Sequence, residues 1–177
     1  MITIENGYRI SIMLTEACNL RCNHCYMSAN AKGETLSIEE IDNMIDNLPF
    51  NCLRISITGG EPYMCKEKLY YILKKIKQKF ASKAPEVRLE TNGFFFYHDD
   101  DTIIKEVENL INLGVTTLRL SDDEFHQQGG LDIQKLRNIE KVIKEKNLNI
   151  VVSTLFQDKA VAFGRAKTLT QDKLDKK

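Results

Sequence analysis

Extended runs alternate with helically spaced runs along most of this chain, and that alternation leaves few folds open. Tyr8–Leu14, Cys52–Ile57, Glu86–Thr91, Val115–Leu120 and Asn149–Phe156 read as strands. Ser37 and Glu40 form a capping box ahead of Ile38, Ile41, Ile45 and Leu48, and Pro49 closes that helix. A second helix carries Leu69, Ile72, Ile76 and Phe80. A third carries Ile104, Val107 and Ile111, with Gly114 as its C′ residue, and a fourth carries Ile133, Leu136, Ile139 and Ile143. Strand–helix–strand units of this length require parallel crossovers, so the fold class is α/β, with parallel strands and outer helices. The count is four full units and a fifth strand over residues 1–156. Residues 157–177 are left as a tail, expected to be partly disordered or to begin a further segment. At 177 residues and 42% apolar, the chain can bury one substantial core.

The strands also divide their faces sharply. Leu53, Ile55 and Ile57 oppose Arg54, Ser56 and Thr58; Val87 and Leu89 oppose Arg88, Glu90 and Asn92. Leu118 and Leu120 oppose Thr117, Arg119 and Ser121, and Ile10, Ile12 and Leu14 oppose Arg9, Ser11 and Met13. A closed barrel fills its interior with branched apolar layers. Arginines and hydroxyls in that place predict an open, polar concavity. Either an arginine there faces a ligand, or Arg9, Arg54, Arg88 and Arg119 form a lattice with Glu90, since buried charges need partners.

Cys18, Cys22 and Cys25 stand in the loop after the first strand, at C-x₃-C-x₂-C spacing. Iron–sulfur clusters are held by cysteine thiolates, and a four-iron cube normally takes four. Three thiolates leave one iron open to a small molecule, and an open position marks a catalytic metal. The competing reading is a zinc site with His24 as fourth ligand, although His24 lies too near Cys22 and Cys25 in the chain to join both in one tetrahedron. Cys52 reads as a small buried hydrophobe and Cys65 as helix-start packing.

Every unusual segment falls at the carboxyl end of a strand, where β/α barrels gather catalytic groups. The cysteine loop follows strand one and Gly59-Gly60-Glu61-Pro62 follows strand two. Thr91-Asn92-Gly93 follows strand three, and Ser121-Asp122-Asp123 follows strand four. Paired glycines let a backbone approach a ligand closely. Alone, each of these segments is an ordinary turn or helix start.

Together, the cysteine spacing and Gly-Gly-Glu-Pro resemble the motifs of the radical S-adenosylmethionine (SAM) enzymes, over two-thirds or more of the chain. The resemblance implies a partial (β/α) barrel, of which about five strands are legible here against the usual six. It implies a [4Fe-4S] cluster on Cys18, Cys22 and Cys25, and SAM chelated at the open iron. Reductive cleavage of SAM would then give a 5′-deoxyadenosyl radical that abstracts hydrogen from a peptide or small polar substrate. By the same resemblance Gly59, Gly60, Glu61 and Pro62 contact the methionyl amine and His24 lies beside the adenine. Asn92, Ser121 and Asp123 are placed near the ribose. Ser121 to Gln127 is similar to a run found in some peptide-modifying members, and makes His126 a candidate proton donor or acceptor. Gly164-Arg165-Ala166 resembles a segment after a late strand in related enzymes. Arg165 there either pairs with the cofactor carboxylate or is a solvated tail arginine.

Composition bears on the rest. Lys and Arg number 25 against 25 acidic residues, with no basic block to suggest a nucleic-acid surface. No apolar run is long enough to span a membrane, and the N-terminus lacks the regions of a secretory signal. Unpaired, clustered cysteines point to the reducing cytoplasm. Expected partners are SAM, the substrate and an electron donor such as a flavodoxin or ferredoxin. An open sheet edge calls for a homo- or hetero-oligomeric contact to cover it. The alternative function is a truncated, non-catalytic accessory module that binds the cluster without turnover.

Overall fold

The computed structural model describes residues 6–96, 98–155, 159–170 and 173–174. Five parallel strands form one open sheet in the order β1-β2-β3-β4-β5, so each strand lies beside its sequence neighbour. They are β1 (Tyr8–Thr15), β2 (Cys52–Gly59), β3 (Glu86–Thr91), β4 (Thr117–Ser121) and β5 (Val151–Leu155). The helices are α1 (Ile38–Asp46), α2 (Lys66–Lys79), α3 (Asp100–Asn112), α4 (Glu124–Gln128) and α5 (Ile133–Glu145). This is the expected α/β architecture of a partial barrel, unrolled along one edge.

Local chemistry sets the helix starts. The Ser37 hydroxyl accepts from Glu40 N–H at 3.1 Å while the Glu40 carboxylate takes Ser37 N–H at 2.7 Å, completing the capping box. Asp99, Asp123 and Asp132 cap α3, α4 and α5 with their carboxylates. Gly114 follows the α3 cap at φ +94°, a conformation that suits glycine. The core lies between the sheet and its helices. Ile12, Leu14, Ile55, Ile57, Leu89, Leu118 and Leu120 meet Ile41, Leu69, Ile72, Leu73, Val107, Leu136 and Ile139.

Some elements differ from the sequence reading. The buried stripe of α3 runs through Ile103, Val107 and Leu110, with Ile104 and Ile111 at its margin, because the apolar face is wider than one row. β4 begins at Thr117 because Val115 N–H still closes the α3 turn on Leu110 carbonyl, at 3.0 Å. β5 begins at Val151 because Asn147, at φ +50°, and a tight bond from Ile150 N–H to Leu148 carbonyl (2.8 Å) consume the preceding residues as a turn. Phe156 lies outside the described residues. The short helix α4 was not expected as a separate element.

The opposite face carries the polar residues, as the alternation predicts. Three of its arginines pair with carboxylates, two with Glu86, which the sequence reading left out, and one with Glu90. Arg54 Nε reaches Glu86 at 2.7 Å and Arg88 Nη2 at 2.9 Å, while Arg119 pairs with Glu90 at 3.3 Å. Burial pushes the Glu86 carboxyl up, but the two guanidinium hydrogen bonds outweigh it and hold the group below its ordinary value. Arg54 and Arg119 are therefore bound to the neighbouring strand β3, and Arg88 to a carboxylate of its own strand.

Candidate active site

At the carboxyl edge of the sheet, a cavity of about 520 Å³ opens on the polar face, within the range of roughly 300–1,000 Å³ usual for ligand pockets. Cys18, Cys22, His24, Cys25, Gly59, Gly60, Asn92, Ser121, His126 and Arg165 all line it. Glu61, Pro62 and Asp123 do not; they stand behind the wall.

The cysteine loop is braced on several sides. Leu20 N–H donates to Cys18 Sγ and Ala29 N–H donates to Cys25 Sγ, each at 3.4 Å. Gly129 abuts Cys22 so closely that a Cβ there would lie 2.6 Å from its sulfur. Arg165 reaches back from residues far downstream: its Nε donates to Cys22 carbonyl at 3.0 Å, its Nη1 to Ala29 carbonyl at 2.6 Å, and its backbone N–H to Cys25 carbonyl at 3.1 Å. It is therefore neither a solvated tail residue nor a free guanidinium. Burial pushes the Cys18 thiol up to about 11 and the Cys22 thiol to about 12, with the other thiols adding to the shift. Such sulfurs become thiolates when a metal takes the proton's place.

That donor set fits a cluster held by three thiolates. The three sulfurs border one cavity, N–H donors of the kind that tune cluster potentials are in place, and a cationic side chain lies close by. The remaining cysteines are turned elsewhere: Cys52 Sγ donates to Pro49 carbonyl at 3.0 Å and Cys65 Sγ to Pro62 carbonyl at 3.3 Å. Zinc shared between these thiols and His24 fits poorly, because the His24 ring turns toward α4, stacking on Phe125 at 4.8 Å and meeting His126 edge-on at 4.6 Å.

Gly59 and Gly60 join β2 to the cysteine loop. Gly60 N–H bonds Thr15 carbonyl at 2.6 Å and Glu61 N–H bonds Ala17 carbonyl at 2.7 Å. A Cβ on Gly59 would meet Thr15 carbonyl at 2.3 Å, and Gly59 holds φ +141°; a Cβ on Gly60 would meet Ala17 carbonyl at 2.3 Å. Only glycines allow the two strand ends to close in this way.

Glu61 is 0% exposed. Its carboxylate accepts Tyr63 N–H at 3.1 Å, the Thr91 hydroxyl at 2.7 Å and Asn92 N–H at 2.7 Å, tying the end of β2 to the end of β3. Burial nonetheless pushes the carboxyl up to about 7 against those three donors. Asn92, so anchored, turns its side-chain amide to Asn19 Oδ1 at 2.8 Å beside Cys18. Ser121 closes the far wall at the end of β4. Sequence reasoning missed the loop-bracing role of Gly129, which depends on a contact with a cysteine far upstream, and it could not show that the Glu61 carboxylate is spent on Tyr63, Thr91 and Asn92.

An open parallel sheet with three thiols and a glycine pair at its carboxyl edge defines a partial (β/α) barrel built around a metal–sulfur cofactor. The chain belongs to the radical SAM superfamily, whose sequence profile matches residues 12–155. This is a family of enzymes that use SAM with an iron–sulfur cluster. Among curated relatives, the GTP 3′,8-cyclase of Rhizobium leguminosarum bv. trifolii (strain WSM2304) is 26% identical over 136 residues, covering 75% of this chain and 35% of the relative. The antilisterial bacteriocin subtilosin biosynthesis protein AlbA of Bacillus subtilis (strain 168) is 30% identical over 135 residues, covering 72% of this chain and 28% of AlbA. The chain thus spans about a third of the length of these relatives. The structure of BtrN in complex with AdoMet and 2-DOIA has the same fold, with TM-score 0.63 at 18% identity over 87% of this chain and 58% of BtrN. Among the described residues, no helix is long and apolar enough to cross a membrane.

Proposed function

We propose that this chain is a radical SAM catalyst that generates a substrate radical from a peptide or small polar molecule. The convergence of Cys18, Cys22 and Cys25 with Gly59 and Gly60 on one cavity carries the reading. When bound, the cluster supplies the electron that cleaves SAM at the sulfonium.

The protein's own part is binding and exclusion. Cys18, Cys22 and Cys25 hold the cluster and supply no fourth sulfur. Gly59 and Gly60 bring bare backbone to the cavity wall, where a methionyl amine finds acceptors and no side chain intervenes. His24 offers a ring face to the adenine, and Asn92 and Ser121 offer polar groups to the ribose. Glu61, Pro62 and Asp123 act from behind as supports. The polar lining contributed by Ser11, Thr58 and Glu90 suits a substrate with hydrogen-bonding groups. A nucleotide cyclase and a bacteriocin biosynthesis protein among the relatives are compatible with that class. Dependence on reduced thiols and on a low-potential electron favours the cytoplasm and a flavodoxin or ferredoxin donor.

Anaerobic reconstitution with iron and sulfide, followed by dithionite and SAM, tests the reading: 5′-deoxyadenosine should accumulate. A brown, correctly folded protein that yields none would instead support the accessory-module reading.

A further inference from the structure

Three side chains at the α4 end of the cavity form a second donor group, separate from the thiols. His24 comes from the cysteine loop, Asp123 caps α4, and His126 lies in its first turn. One potential ligand atom from each lies within 4.8 Å of the others. The donors are of the right kind: two imidazoles and a carboxylate are the set that holds iron(II), and zinc accepts the same atoms.

Unsatisfied atoms point to the same place. Asp123 is 1% exposed, and its Oδ2 is buried without a hydrogen-bond partner, as is His24 Nδ1. Buried polar atoms in native proteins are almost always paired, so two orphans within one group of three residues call for an occupant. The other carboxylate oxygen, Oδ1, is already used: it accepts His126 N–H at 2.9 Å and lies 2.8 Å from His126 Nδ1. This contact holds His126 Nδ1 against the carboxylate, so Nδ1 is the ring atom that an ion between the two residues would take in place of the hydrogen bond. Arg165 does not supply the missing partner, because its guanidinium is engaged by the carbonyls of Cys22 and Ala29.

We propose that His24, Asp123 and His126 bind one divalent first-row transition-metal ion in the wall of the cavity. Donor atoms around a four-coordinate ion sit roughly 3.3 Å apart for bonds of about 2.0–2.1 Å. The widest pair therefore closes by about 1–1.5 Å on binding, which side-chain rotation supplies. Three protein donors leave positions open, and both histidines line the cavity. The ion can accept an oxygen donor such as a carboxylate, hydroxyl or amide of a molecule bound there.

Two measurements test this, the first independently of the cluster assignment. The Cys18→Ala/Cys22→Ala/Cys25→Ala chain, checked for native circular dichroism, should bind one equivalent of cobalt(II), with visible bands of nitrogen and oxygen ligation and no sulfur charge-transfer band. Adding His126→Ala should weaken that binding by more than about tenfold. In the cluster-loaded wild-type chain, desalting after exposure to zinc(II) should retain one zinc, lost in His126→Ala with iron content unchanged. A folded triple-alanine variant that binds no cobalt, or binding indifferent to His126→Ala, overturns the proposal and leaves water between the orphaned atoms. If the triple-alanine variant does not fold, the zinc count decides in either direction.

Discussion

At the scale of single residues, the five cysteines separate into two groups by what surrounds them. Cys22→Ala should abolish the brown absorbance and iron content of the reconstituted protein, whereas Cys52→Ala should leave both intact, since Cys52 is committed to the Pro49 carbonyl. Spectra and iron analysis after anaerobic reconstitution check the pair. Glu61 gives a second prediction through pH. Its carboxyl is raised on folding from 4.5 to about 7, so its contribution to stability is fully present below about pH 4.5 and is lost as pH climbs toward 7. Relative to Glu61→Gln, the wild type should lose on the order of 3 kcal/mol across that window, measured by urea unfolding at its two ends. A difference that stays flat with pH would refute the buried carboxyl's role. The sequence pointed to both sites by motif, but it placed Glu61 in contact with the cofactor. Glu61 sits behind the wall because its partners, Thr91 and Asn92, belong to a strand about thirty residues away, and no local pattern reports that pairing.

At the scale of elements, the loop that carries the thiols depends on two contacts from later in the chain. Gly129→Ala would put a Cβ 2.6 Å from Cys22 Sγ and 3.0 Å from Cys22 backbone atoms, so the loop must shift at a cost of about 1–3 kcal/mol. Iron loading should fall although the sheet and helices remain, as far-ultraviolet circular dichroism would show. Arg165→Ala removes two charge-assisted bonds to loop carbonyls and should lower stability by about 2 kcal/mol, read as a lower thermal midpoint. Strands and helices were legible because apolar spacing is a local property. α4 was not, since five residues carry too little period to distinguish a helix from a turn. The arginine lattice was half legible. The alternation put the charges on the correct face, but only the register, Arg54 opposite Glu86 and Glu90 opposite Arg119, selects the partners.

At the scale of the whole molecule, the sheet is polarised between its edges. β1 is followed by the cysteine loop, while β5 ends the described sheet with Val151 62% exposed. An uncovered parallel edge bearing an apolar side chain favours pairing with another chain. Sedimentation velocity should therefore show concentration-dependent association, reduced in Val151→Lys; a monomer at all concentrations would mean that the edge is covered in another way. The resemblance in the motifs carried the class of fold and cofactor. The shape of the substrate space is a property of the closed tertiary structure.

The span between Arg165 and its acceptors has a temporal meaning. A ribosome-bound chain that has not yet exposed residue 165 presents Cys22 on a loop that lacks one of its clasps, 143 positions upstream of the residue that holds its carbonyl. Stalled nascent chains released before and after that residue emerges should differ in how much iron they retain, which would make cofactor capture wait on the segment that carries Arg165.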